Sequence, residues 1–157
     1  MSRFLALLAA CLLVLALAAC GGSSSNGSDE AAQPIKDSAR PPHVAVPPGA
    51  PPKKLVVVDL RKGSGPAIPP KGGVRIHTNY VALSYRTHKP LEVRWSPLGS
   101  FNIGFGPGIE VKGWEKGLVG MRVGGRRELR VPSRLAYKSG AILYLIDLLA
   151  VERPPFG

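Results

Sequence analysis

Core-forming material is confined to one end of this chain. Ahead of Lys53 the sequence runs between two extremes, and neither builds a core. Residues 4–19 are almost wholly Leu, Ala and Val, and seven of the nineteen residues from Pro34 to Pro52 are proline. Proline fixes φ and removes a backbone donor, so the second stretch cannot form a helix or sheet interior. Lys53–Gly157 supplies 105 residues, room for one domain with one core. That length excludes a multidomain enzyme. Cys20 is the only cysteine beyond Cys11, which excludes a disulfide framework and a cysteine-rich zinc site.

The front end reads as an address. Arg3 gives a positive n-region and Phe4–Leu17 an apolar h-region, short for a membrane span. Leu17-Ala18-Ala19-Cys20, followed by Gly21-Gly22-Ser23, resembles the bacterial lipoprotein signal. In such signals the cysteine thiol is lipidated and becomes the mature N-terminus. An ordinary signal peptide cleaved at Ala-x-Ala, with Cys20 incidental, is the other reading. The expected organisation is a signal peptide over 1–19, lipidated Cys20 with a Gly/Ser/Pro-rich linker over 20–54, and a folded domain over 55–157. The lipid would attach the protein to a membrane without spanning it. Gly22 in place of Asp favours the outer membrane of a bacterial envelope, facing the periplasm. The linker is expected to be a disordered tether, reaching up to ~100 Å if extended as polyproline. A proline-motif ligand for an SH3-type domain is a second reading of it.

Charge is uneven. Residues 53–157 hold 18 Lys/Arg against 7 Asp/Glu, while residues 20–52 hold 2 against 3. In an exported protein a basic domain points to anionic lipid, lipopolysaccharide or acidic clients rather than nucleic acid, or to a solvated basic surface.

The folded part reads as α+β. Leu55–Leu60 is an apolar, β-branched strand, and Lys62–Gly73 is broken by glycine and proline into turns. Val74–Tyr85 alternates, with Val74, Ile76, Thr78, Tyr80 and Ala82 on one face and Arg75, His77 and Asn79 on the other. Phe101–Phe105 is a further strand. Over Glu110–Val119, Val111, Trp114 and Leu118 form the stripe of one short helix. Arg126–Val131 and Ile142–Val151 close the sheet.

Spacing alone marks no catalytic constellation. His43, His77 and His88 are scattered, and Gly104-x-Gly106-x-Gly108 lacks the dinucleotide spacing. No metal and no cofactor is expected, and a monomer is.

Gly113-Trp114-Glu115-Lys116-Gly117-Leu118-Val119-Gly120-Met121-Arg122-Val123-Gly124-Gly125-Arg126-Arg127, with Val131-Pro132 and Leu135-Ala136-Tyr137 after it, resembles the FKBP-type peptidyl-prolyl isomerases. Tyr80-Val81, the Tyr85–Lys89 hairpin, Phe101-x-Ile103-Gly104 and Ile142–Leu148 fall in the family's order. The resemblance covers Leu55–Glu152. It implies a half-open antiparallel sheet wrapped around one short α-helix. It also implies an apolar aromatic pocket for proline-containing polypeptide clients.

Carried over residue by residue, Tyr80, Glu92, Phe101, Val111, Trp114 and Tyr137 would do the chemistry. Leu91, Ile103 and Tyr144 would complete the substrate pocket. In that picture Trp114 is the floor, and the Val111 amide and Tyr137 hydroxyl hold substrate carbonyls. The sequence departs from the pattern at Leu91-Glu92, where the family has Phe-Asp, at Glu110 and at Ile103. Only Lys138-Ser139-Gly140-Ala141 separates Tyr137 from Ile142, where the family carries a longer loop. A shallower, wetter cleft is expected. The resemblance implies an envelope prolyl isomerase; a non-catalytic peptide-binding, chaperone-like lipoprotein is the alternative.

Overall fold

A computed structural model describes residues 40–97, 101–108, 111–136 and 140–153. The signal segment, Cys20, Glu110 and Tyr137 lie outside the described residues. Six strands run antiparallel: β1 (Val56–Arg61), β2 (Val74–Ser84), β3 (Pro90–Arg94), β4 (Phe101–Phe105), β5 (Arg126–Val131) and β6 (Ile142–Glu152). The sheet order is β1-β5-β6-β2-β3, with β4 also pairing β2. Among the described residues one α-helix, α1 (Lys112–Gly117), packs on one face. This is the half-open sheet around a short helix that the sequence implies.

The eleven residues of β2 organise the fold. One of its edges pairs with β6 along nearly the whole strand. The other edge is shared, with Val74–Thr78 facing β4 and Tyr80–Leu83 facing β3. Asn79 stands at the changeover, fully buried. Its side-chain amide donates to the Ser96 carbonyl at 2.8 Å and accepts from the Ser96 N–H at 3.1 Å. The side chain thus replaces the missing strand partner and satisfies backbone groups that burial would otherwise orphan.

Alternation assigns the faces. Val74, Ile76, Tyr80 and Ala82 of β2, Leu129 and Val131 of β5, and Ile142, Tyr144, Ile146 and Leu148 of β6 join Trp114 and Leu118 in the main core. Helix and sheet approach closely because α1 presents glycine to β5. A Cβ on Gly113 would lie 2.5 Å from Val131, and one on Gly117 would lie 2.7 Å from Leu129. The helix is shorter than its apolar stripe suggests. Val111 is its N-cap, with ψ near 130°, and Gly120 turns the chain away at φ +75°. Arg127 then donates to the Gly117 and Val119 carbonyls at 2.8 and 3.2 Å and to Asp59 of β1 at 2.6 and 3.1 Å. A cation at the C-terminal end of a helix meets carbonyls the helix leaves unbonded.

The expected linker needs correction. Residues 40–54 form no strand or helix, yet Val46 is buried at 9% exposure. It joins Val81, Leu83, Tyr85, Ala141 and Leu143 in a second cluster, with Val44 and Trp95 packed against it. The stretch around Val44–Val46 is therefore a strap across the back of the sheet rather than free tether. The physical reason lies in β2, where Val81 and Leu83 make the second face apolar beyond Asn79 and in need of cover. Beside the strap, Arg126 binds the fully buried Asp147 bidentately at 2.7 and 2.8 Å, and its guanidinium carbon lies 5.7 Å from the Trp95 ring centre.

The turn-rich stretch Lys62–Gly73 also contributes to the core. Ile68 is 1% exposed, its N–H donates to Met121, and its carbonyl accepts from Gly120. Strand β3 was not marked by the sequence, because Pro90 opens it and only Leu91 and Val93 carry apolar character.

Candidate active site

The concave side of the sheet carries an aromatic box at the point where β2 changes partner. Tyr80 comes from β2, Phe101 from β4, Tyr144 from β6 and Trp114 from α1. Tyr80 meets Trp114 at 5.1 Å between ring centres and Phe101 at 5.3 Å, with interplanar angles of 86° and 83°. Trp114 meets Tyr144 at 5.5 Å and Phe101 at 6.2 Å. All of these contacts are edge-to-face, the arrangement favoured by the ring quadrupole. Trp114 is 2% exposed, and its indole N–H is buried without a hydrogen-bond acceptor among the described residues. The box floor is therefore a buried ring whose one polar group meets no protein acceptor among the described residues.

One polar chain enters this setting. The Tyr80 hydroxyl donates to Glu92 Oε2 at 2.7 Å, and Arg94 Nε donates to Glu92 Oε1 at 2.7 Å. Tyr80 lies opposite Arg94, and Ala82 opposite Glu92, in the β2–β3 ladder, so both charged groups hang over the phenol. Burial, reinforced by Glu92, pushes the Tyr80 pKa well above the ordinary phenol value. The hydrogen bonds from Tyr80 and then Arg94 hold Glu92 below the ordinary carboxylate range. At neutral pH the pair is a neutral phenol donating to a carboxylate. The donor is aimed and spoken for, which fixes the ring that forms one wall of the box.

Val111 is 6% exposed. Its carbonyl accepts from the N–H groups of Trp114 and Glu115 at 2.7 and 3.1 Å, the first bonds of α1. As N-cap, its own N–H stands outside the intrahelical ladder. Glu115 reaches back from the first helical turn to accept from the Gly108 N–H at 2.6 Å, tying the chain after β4 to the helix.

Of the residues expected at the site, Tyr80, Val111, Trp114 and Tyr144 are brought into one cluster, with Phe101 and Ile103 packed against it. Glu92 joins through the Tyr80 hydroxyl. Leu91 does not join. The ladder pairs Glu92 with Ala82 and Pro90 with Leu83, leaving Leu91 as the extra residue of a bulge, 50% exposed. It stands apart from the aromatic cluster, at the β3 edge of the sheet. Arg94 was missed in the sequence. Its two-residue spacing from Glu92 on an extended segment was the available signal.

The comparisons with known proteins point to one family. The profile of the FKBP-type peptidyl-prolyl cis-trans isomerases matches residues 67–143. An FK506-binding protein of Streptomyces anulatus is 33% identical over 125 residues, spanning 73% of this chain and 99% of that protein. A probable FK506-binding protein of Corynebacterium glutamicum is 30% identical, spanning 69% of this chain and 97% of that protein. The crystal structure of FkpA from Escherichia coli overlays with a TM-score of 0.56 at 23% identity, covering 64% of this chain and 49% of that one, and shares the fold. By sequence, with a fold to match, the chain belongs to the FKBP-type peptidyl-prolyl cis-trans isomerases.

Proposed function

We propose that this isomerase works at a bacterial envelope, anchored through a lipid on Cys20, and turns X-Pro bonds in exported polypeptides. The observation that carries the site assignment is the box of Tyr80, Phe101, Trp114 and Tyr144, closed on one side by the Tyr80–Glu92 bond. Rotation about a prolyl amide makes and breaks no covalent bond; its barrier, near 20 kcal/mol, comes from amide resonance. Aromatic walls around a buried floor disfavour the charge-separated planar amide relative to the twisted one. Each ~1.4 kcal/mol gained by the twisted state is a tenfold rate increase. Trp114 supports the proline ring, Phe101 and Tyr144 flank it, and the Val111 N–H and Tyr137 hydroxyl receive the carbonyls on either side.

Two arms test this. Cis–trans exchange of X-Pro peptides, followed by magnetisation transfer, should be accelerated by the protein and at least tenfold less by Trp114→Phe or Tyr137→Phe. A folded protein without acceleration would leave a peptide-binding role in its place. For the envelope, labelled palmitate should enter the wild type and not Cys20→Ser in bacterial cells. Label-free wild type in the soluble fraction would remove the anchor and leave the isomerase untouched.

A further inference from the structure

A second cleft, of about 590 Å³, opens at the other end of β4. Phe101 and Phe105 mark the two ends of this strand, ~13 Å apart along it. In the ladder Thr78 faces Phe101, and Val74 faces Phe105. The cleft walls are Val74, Phe105, Pro107 and glycine backbone, and Lys71, Arg75, Arg153 and Glu152 stand around them. Its volume falls in the range that takes small molecules.

The charges do not balance. Lys71, Arg75 and Arg153 are exposed, and among the described residues none has a carboxylate within 4.0 Å. Glu152 is the one acidic side chain in the lining, and it lies 2.9 Å from His77 Nε2. Register places Arg75 opposite Glu152, yet the carboxylate meets His77. Three like charges around one concavity repel, and an anion entering it relieves that repulsion. Apolar walls behind a cationic rim suit a molecule with both parts.

We propose that this cleft binds an aliphatic chain bearing a single anionic head group, a carboxylate or a phosphate monoester. Its body lies along Pro107 and the glycine backbone over the buried Phe105, and its head meets Lys71, Arg75 and Arg153. The assignment is independent of prolyl isomerisation, since none of these residues belongs to the aromatic box.

Decanoate and decyl phosphate, titrated below their micelle concentrations into the full chain, should move the Gly104 and Gly106 amide resonances saturably. Decanol and decylammonium should bind at least tenfold more weakly. Arg75→Ser should weaken decanoate about fivefold, near the most that one exposed charge pair contributes. Lys71→Ser, Arg75→Ser and Arg153→Ser combined should abolish the preference for decanoate over decanol, with Trp114 fluorescence and prolyl isomerisation unchanged. Equal binding of decanol, or a triple variant that binds decanoate as the wild type does, would overturn the proposal. So would pelleting with phosphatidylglycerol vesicles in the absence of any decanoate response, which would assign the cations to a bilayer surface.

Discussion

From Asn79 onward the two faces of β2 are both buried, by different means. The concave face is covered by α1, an element of the same domain, and its contacts are rings set edge to face. The convex face is covered from the proline-rich side of the expected domain boundary, by Val44 and Val46 over aliphatic side chains. On the concave side geometry is specified by ring orientation and by the Tyr80–Glu92 bond. On the convex side the strap meets mainly aliphatic groups, whose burial contributes in proportion to area and with little direction. The comparison separates what holds the domain together from what shapes a substrate.

The largest expected effect falls on the concave face. Trp114→Ala should cost about 3–5 kcal/mol in urea unfolding and leave no measurable turnover. If stability drops and turnover survives, the ring is core alone. Deleting residues 40–52 should lower stability by about 2 kcal/mol, the scale of burying one valine, while kcat/KM stays within twofold. Unchanged stability would mean that the convex face needs no cover, and a tenfold loss of kcat/KM would mean that the two faces are coupled.

A third prediction concerns pH. Glu92 has a folded pKa below its ordinary value of 4.5. Its contribution to stability is therefore complete above that value and lost as pH falls through the lowered pKa. Turnover should be level from pH 6 to 9 and decline in acid, and Glu92→Gln should flatten the acid limb. A wild-type limb that persists in Glu92→Gln would assign it elsewhere. The smallest effect lies on neither face. His88 holds φ +57° in the hairpin before β3, a left-handed conformation that costs a side chain about 1 kcal/mol. His88→Gly should raise stability by about that much; a loss would show that the imidazole contributes more than the strain.

Much of the concave face was legible in the sequence. Alternation placed Val74, Ile76, Tyr80 and Ala82 together, and the spacing of Val111, Trp114 and Leu118 gave the helix its buried stripe. Gly113 and Gly117 were visible as part of a motif, but their reason, contact with Val131 and Leu129, needs the partner strand. The convex face was harder to read. A window of alternating residues reports one apolar face, and Val81 and Leu83 on the opposite side look like noise until something is seen to cover them. The strap was hidden by its own composition, since proline argues against secondary structure and says nothing about docking. That Leu91 stands apart from the cluster could not be read from the residues, because no local pattern in Pro90-Leu91-Glu92 announces the bulge.

The position of β6 has a consequence for how the chain is made. The last strand lies between β5 and β2, in the middle of the sheet, while the first strand sits at its edge. Until residues 142–152 emerge, β2 and β5 have no shared partner and the two halves of the sheet cannot join. Most ladder contacts therefore close late and across long sequence separations, the topology of a slow folder. If the chain is exported as proposed, the β2–β6 and β5–β6 ladders would close only on the far side of the membrane.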